Sequence, residues 1–229
     1  MGLFDIFKKK KAHEEYASAA DTISGVHTVS AATVPEFNGM PLLDLKKGDI
    51  LDLNKCGTLQ KIRASAGWKI KKKKSRSMEY DYDLDLCAYL VNKDKEIVDT
   101  VYYGAKKASG IELDKDDLTG NGGGDAENIF VNLDKIKPHV EEVYFAVVIY
   151  EAKTRRQYFG EVQDAYVRLV DEGNGDREIC RYRMTEDGGL NTAVVAAKLK
   201  RNGSSWSFEA IGKYYTASIS SLGLDVRNL

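Results

Sequence analysis

Apolar residues along most of this chain recur with a period of two. Trp206, Phe208 and Ala210 alternate with Ser207 and Glu209, and Cys180, Tyr182 and Met184 alternate with Arg181 and Arg183. That is the pattern of strands with one buried and one solvated face. Two segments are apolar on both faces: Leu84 to Val91, with Leu84, Leu86, Ala88 and Leu90 on one side and Cys87, Tyr89 and Val91 on the other, and Val143 to Tyr150. Both predict central strands. Asn202-Gly203 predicts a tight hairpin before Trp206, and Gly173-Asn174-Gly175-Asp176 a turn between two further strands. Helical signals are few: a turn around Lys135, a short piece near Arg155 to Asp164, and a C-terminal piece near Lys213. The pattern predicts a mainly β fold, an antiparallel β-sandwich with a few short helices, over residues 41–229.

Residues 1–40 read differently, as an N-terminal tail and linker. Residues 17–40 are rich in Ala, Ser, Thr and Gly. Ahead of them, Leu3, Phe4, Ile6 and Phe7 form an apolar side followed at once by Lys8, Lys9, Lys10 and Lys11. An apolar face beside lysines suits an anionic membrane surface, and a frayed solvated tail is the plainer reading. The segment has neither the order of a secretory signal nor, with Ile6 in place of Ser or Thr, a myristoylation site. A second basic run, Lys71, Lys72, Lys73 and Lys74, reads as a solvated loop or as a contact for phosphate or anionic lipid. The longest apolar stretch is far short of the ~20 residues of a spanning helix.

The chain has 229 residues and a net charge of −1, which excludes a globally basic nucleic-acid binder. Its three cysteines, Cys56, Cys87 and Cys180, are far apart, so a disulfide framework is not expected and a reducing cytoplasm is. The charges that stand out are acidic. Glu79, Asp81, Asp83 and Asp85 follow one another with no base among them, and Glu112, Asp114, Asp116, Asp117, Asp125 and Glu127 flank the loop Gly120-Asn121-Gly122-Gly123-Gly124. Oxygen donors at this density suit Ca²⁺, and a solvated acidic loop is the competing reading. An EF-hand is excluded by Leu86 and Asn92, and a P-loop by the lack of Lys-Ser/Thr after the glycines. No nucleophile elbow or paired Cys/His set is present, so no catalytic residue is expected, although an acidic cluster leaves a carboxylate-based hydrolase as a third reading.

Several motifs, in order, resemble the tellurium-resistance (TerD-like) stress-protein family: LKKGDILDLNK, LQKIRASAGW ending at Trp68, YDYDLDLCAYL, DDLTGNGGGDAENIFVNLDKI, FGEVQDAYVRLVD, and RYRMTEDGGLNTAVVAAKLKRNGSSWSFEAIG. They cover roughly Leu42 to Gly212. The resemblance implies a β-sandwich with acidic metal-binding loops at one end, two neighbouring calcium ions, and a bacterial cytoplasmic protein of tellurium and chemical-damage resistance. It brings no enzyme chemistry. The ligands it implies are Asp83, Asp85, Asp116, Asp117, Asp125, Glu127, Glu186 and Asp187. Gly123 and Ala126 stand where the family usually has Asp, which implies that one ion is weakened. The implied partners are calcium ions and other stress-resistance proteins of the same system, without nucleic acid. The alternative is a membrane-surface scaffold working through its apolar, basic N-terminus, with calcium structural or absent.

Overall fold

A computed structural model describes residues 43–56, 58–70, 82–114, 124–184 and 186–229, and the backbone of 22–23 and 26–29. In chain order its strands are β1 (Thr22–Ile23), β2 (Val26–Val29), β3 (Asp44–Leu45), β4 (Ile50–Asp52), β5 (Lys61–Ile70), β6 (Leu84–Val91), β7 (Ile97–Val101) and β8 (Lys107–Ala108). They continue as β9 (Ile111–Leu113), β10 (Glu127–Asn132), β11 (Glu142–Ile149), β12 (Val162–Asp171), β13 (Arg177–Arg183), β14 (Ala193–Asn202) and β15 (Ser205–Tyr215). Two helices, α1 (Ala152–Arg155) and α2 (Ile219–Val226), and a few 3-10 turns complete the described chain.

The strands form an eight-stranded sheet in the order β1-β2-β4-β15-β14-β11-β6-β7 and a seven-stranded sheet in the order β3-β13-β12-β5-β10-β9-β8. Pairing is antiparallel except at two short edges, where β2 joins β4 and β3 joins β13 in parallel. The apolar alternation explains the layering. Leu84, Leu86, Ala88 and Leu90 of β6 meet Val167 and Leu169 of β12 and Ile129 and Val131 of β10 in the core between the sheets. Cys87, Tyr89 and Val91, on the other face of β6, join Tyr144, Val148, Leu222 and Val226 in a second cluster under α2. Two-sided apolarity thus arises because one face packs on a sheet and the other on a helix.

Three details differ from the sequence reading. Strand β15 runs through Lys213 to Tyr215, and the C-terminal helix begins only at Ile219, after a capping box built by Ser218 and Ser221. The β14–β15 ladder closes at Asn202 opposite Ser205, so the two-residue turn is Gly203-Ser204, one place later than expected. Within the stretch read as tail and linker, Thr22–Ile23 and Val26–Val29 pair with each other, and Val29 lies opposite Leu51 at the sheet edge.

Strand registers place the described acidic residues Asp83, Asp85, Asp125 and Glu127 at strand entries toward one end of the sandwich. In the first sheet Leu84 opens β6 opposite Ile149, and Ala193 opens β14 opposite Tyr215. In the second sheet Glu127 opens β10 opposite Ala66, and Tyr166 pairs with Arg183 near the end of β13. The Phe159 N–H donates to Asn191 O at 2.8 Å, and the Tyr82 hydroxyl donates to Glu161, tying the two sheets together here.

Candidate functional site

Asp83 and Asp85 stand at the entry of β6 and are 6% and 4% exposed. Asp85 lies on the outer face of the first sheet. With Tyr89, Tyr102, Tyr150, Ser218 and Leu224 it lines a cleft of about 1230 Å³ beside α2. Arg155, placed by α1, puts Nη1 3.7 Å from Asp83 Oδ2 and stacks its guanidinium 4.8 Å from the Tyr150 ring centre. The loop is pinned by the Tyr150 N–H, which donates to Asp83 O at 2.8 Å.

Glu127 belongs to another layer. It shares the inward face of β10 with Ile129 and Val131 and is 1% exposed. Its carboxylate accepts the Leu86 N–H at 2.5 Å. Strand β7 pairs with β6 only from Ala88 onward, so this carboxylate supplies the acceptor that a neighbouring strand does not.

Asp125 lies in a third layer. The chain crosses the outer face of the second sheet at Gly67, where a Cβ would stand 2.6 Å from Gly124 O and 2.4 Å from the Tyr166 hydroxyl oxygen. Beyond that crossing the Asp125 carboxylate accepts Arg168 Nε at 2.8 Å, Arg168 Nη2 at 2.5 Å and the Tyr166 hydroxyl at 2.9 Å. Arg168 Nη1 and Arg181 bond Glu178 at 2.7 and 2.8 Å, and Arg181 lies 4.3 Å over the Tyr166 ring. Burial raises the Glu178 carboxyl, but Arg181 and Arg168 outweigh it and hold the group below its ordinary value. Burial and the Asp125 charge push the Tyr166 phenol up to about 12.

Glu186 is exposed and pairs with Lys47 Nζ at 3.0 Å. Asp187 accepts the Gly189 N–H at 2.9 Å, in a loop that rests on Gly160. Asp116 and Asp117 fall outside the described residues, as do Lys8, Lys9, Lys10, Lys11, Lys71, Lys72, Lys73 and Lys74. Among the described residues no three His, Cys, Asp or Glu side chains are placed to share a metal ion. None of the described helices is long and apolar enough to cross a membrane.

The sequence reading gives the residues that answer these carboxylates, Arg155, Arg168 and Arg181, no part in the site. Arg168 lies 43 positions from its partner. Its one signal was a charge on the polar side of an alternating strand. The cysteines are free, and burial lifts the thiols of Cys56 and Cys87 to about 11 and about 12, which disfavours the thiolate.

The described chain is thus a two-sheet, mainly antiparallel β-sandwich with buried carboxylates at its strand entries. Residues 42–224 match the TerD domain, and the chain belongs to that family. It is 32% identical over 186 residues to general stress protein 16U of Bacillus subtilis (strain 168), covering 80% of this chain and 96% of that protein. It is also 32% identical over 183 residues to the tellurium resistance protein TerD of Alcaligenes sp, covering 79% and 94%. A crystal structure of a homologue of telluride resistance protein (TerD) from Streptomyces coelicolor A3(2) superimposes with a TM-score of 0.57 at 20% identity. It covers 72% of this chain and 96% of that one, and shares the fold.

Proposed function

We propose that this chain is a calcium-binding stress-response module of the tellurium-resistance type, acting by binding and not by catalysis. The observation that carries the reading is the burial of Asp83 and Asp85, two residues apart, at the entry of β6. A buried carboxylate persists where positive charge offsets its lost hydration. Arg155 supplies one such charge at Asp83. The donors are hard oxygens, which fit Ca²⁺. The described carboxylates do not make a cage alone, so the reading assigns the remaining donors to Asp116 and Asp117 in the loop that follows β9. The bound ion would neutralise the carboxylates and join the loops of the two sheets, giving a partner protein of the same resistance system a calcium-dependent surface.

Thermal melting with chelator and with millimolar Ca²⁺ tests this. A ligand at 100 times its dissociation constant stabilises by about 2.7 kcal/mol, roughly 5–10 °C for a chain of this size. Asp83→Asn with Asp85→Asn should abolish the shift. An unmodified chain that melts at the same temperature in both buffers refutes the calcium reading.

A further inference from the structure

We infer that Asp125 is not a cation ligand but the anchor of the acidic loop, clasped by Arg168 on the outer face of the second sheet. Two observations carry this. The first is how fully its oxygens are committed. Arg168 presents Nε to both, at 2.8 Å to Oδ1 and 3.1 Å to Oδ2, adds Nη2 to Oδ2 at 2.5 Å, and the Tyr166 hydroxyl donates to Oδ1 at 2.9 Å. A guanidinium fork matches a carboxylate in charge and in geometry, so it does for Asp125 what a metal ion would do. Arg168 is itself held from behind by Glu178, and Glu178 by Arg181. The side chains of the clasp are 23% and 12% exposed, which limits screening by water.

The second observation is the layering. Asp85 faces outward from the first sheet, with the cleft beside α2. Tyr166 and Arg168 face outward from the second sheet, since Val167 and Leu169 between and beside them fill the core. Packed sheets stand about 10 Å apart, and Asp85 and Asp125 lie on opposite outer sides of both. Calcium–oxygen bonds span only about 2.3–2.6 Å, so one ion cannot bridge them. Glu127, between the layers, is engaged by the Leu86 N–H. The carboxylates flanking the glycine loop therefore divide: Asp125 fastens the end of the loop to the second sheet, and any ion at this end sits on the Asp83 and Asp85 side. Arg168 is thus a positioning residue for the loop. The statement about the ion rests on the calcium reading; the anchoring does not.

The experiment compares Asp125→Asn, Arg168→Met, the double variant and Arg168→Lys by melting in chelator and in millimolar Ca²⁺. In chelator each single variant should melt several degrees lower. The double variant should lose no more than the worse single, because its partner is already gone. Arg168→Lys should recover only part of the loss, since an ammonium lacks the fork. The calcium-induced shift and the ion count by native mass spectrometry should match the unmodified chain in every variant. If Asp125→Asn melts normally in chelator yet binds one ion fewer, the inference is overturned. If the unmodified chain shows no calcium shift, the calcium reading fails alone, and additive losses in chelator would still overturn the clasp. A measurement on the unmodified chain covers variants that do not fold: the Arg168 Nε–H resonance should be protected from exchange and unmoved by Ca²⁺. A resonance that moves on titration overturns the assignment.

Discussion

Gly67→Ala is the sharpest test of how the acidic loop is seated. Gly67 lies in β5 opposite Tyr166 of β12, with ordinary strand backbone, so its requirement for glycine is steric. An added Cβ would stand 2.4 Å from the Tyr166 hydroxyl oxygen, 2.5 Å from the ring carbon that carries it and 2.6 Å from Gly124 O. None of these atoms is free to retreat. The phenol donates to Asp125 and lies under Arg181, and the next residues of the loop are held by the Ala126 N–H donating to Ala66 O at 2.8 Å. Overpacking of this kind costs about 1–3 kcal/mol. Displacing the phenol also loses a hydrogen bond to a charged group, about 1.5–3 kcal/mol. Partial relaxation makes the sum about 3 kcal/mol, or roughly 6–12 °C in melting temperature. Urea unfolding followed by tyrosine and tryptophan fluorescence measures it. Gly175→Ala is the control: its φ is +65°, but no atom lies within 4 Å of the added carbon, so it should cost only about 1 kcal/mol. A Gly67→Ala chain that unfolds within a few tenths of a kcal/mol of the unmodified protein would show that the loop does not cross β5 here.

The other expectations are smaller. Glu127→Gln keeps an acceptor for the Leu86 N–H and should cost less than Glu127→Ala, which strands a buried donor for about 1–3 kcal/mol; amide exchange at Leu86 should quicken only in the alanine variant. Burial raises the Glu142 carboxyl, but Lys95, Lys198 and the Tyr144 hydroxyl outweigh it and hold the group below its ordinary value. Its contribution is therefore full above the unfolded value of about 4.3 and is lost as pH falls through the lower folded one. Hence the stability gap between the unmodified chain and Glu142→Gln, read by denaturant titration, should be constant near neutrality and close below about pH 4. Ser218→Ala removes the capping box of α2 and should cost about 1 kcal/mol, visible as faster amide exchange from Ser221 to Val226.

How much of this was legible in the sequence follows from how local each signal is. The alternation in β13 and β15 and the two-sided runs of β6 and β11 state their burial directly, because the side-chain period of a strand is two and the core enforces it. Strands β1, β2, β3 and β8 are two to four residues long, too short to alternate, and their pairing is set by partners elsewhere in the chain. The helix at Ile219 was misplaced because its cap is Ser218 with Ser221 and lacks the Glu or Gln that marks the usual box, while the aromatic pair Tyr214 and Tyr215 continues a strand.

The acidic end shows a different limit. The density of carboxylates along the chain is legible in the sequence. Their partition among layers is not. Asp125 and Glu127 are two residues apart and would share a face if the strand began two residues earlier, at Asp125. Instead β10 begins at Glu127, so Glu127 takes the inward position and Asp125 is left to the crossing over Gly67. From there Asp125 meets a guanidinium 43 positions downstream, and Glu127 meets a backbone amide 41 positions upstream. A run of acidic residues therefore counts negative charges but not ligands: each of these two carboxylates is claimed by the donor its layer presents, Asp125 by a guanidinium and Glu127 by a backbone amide.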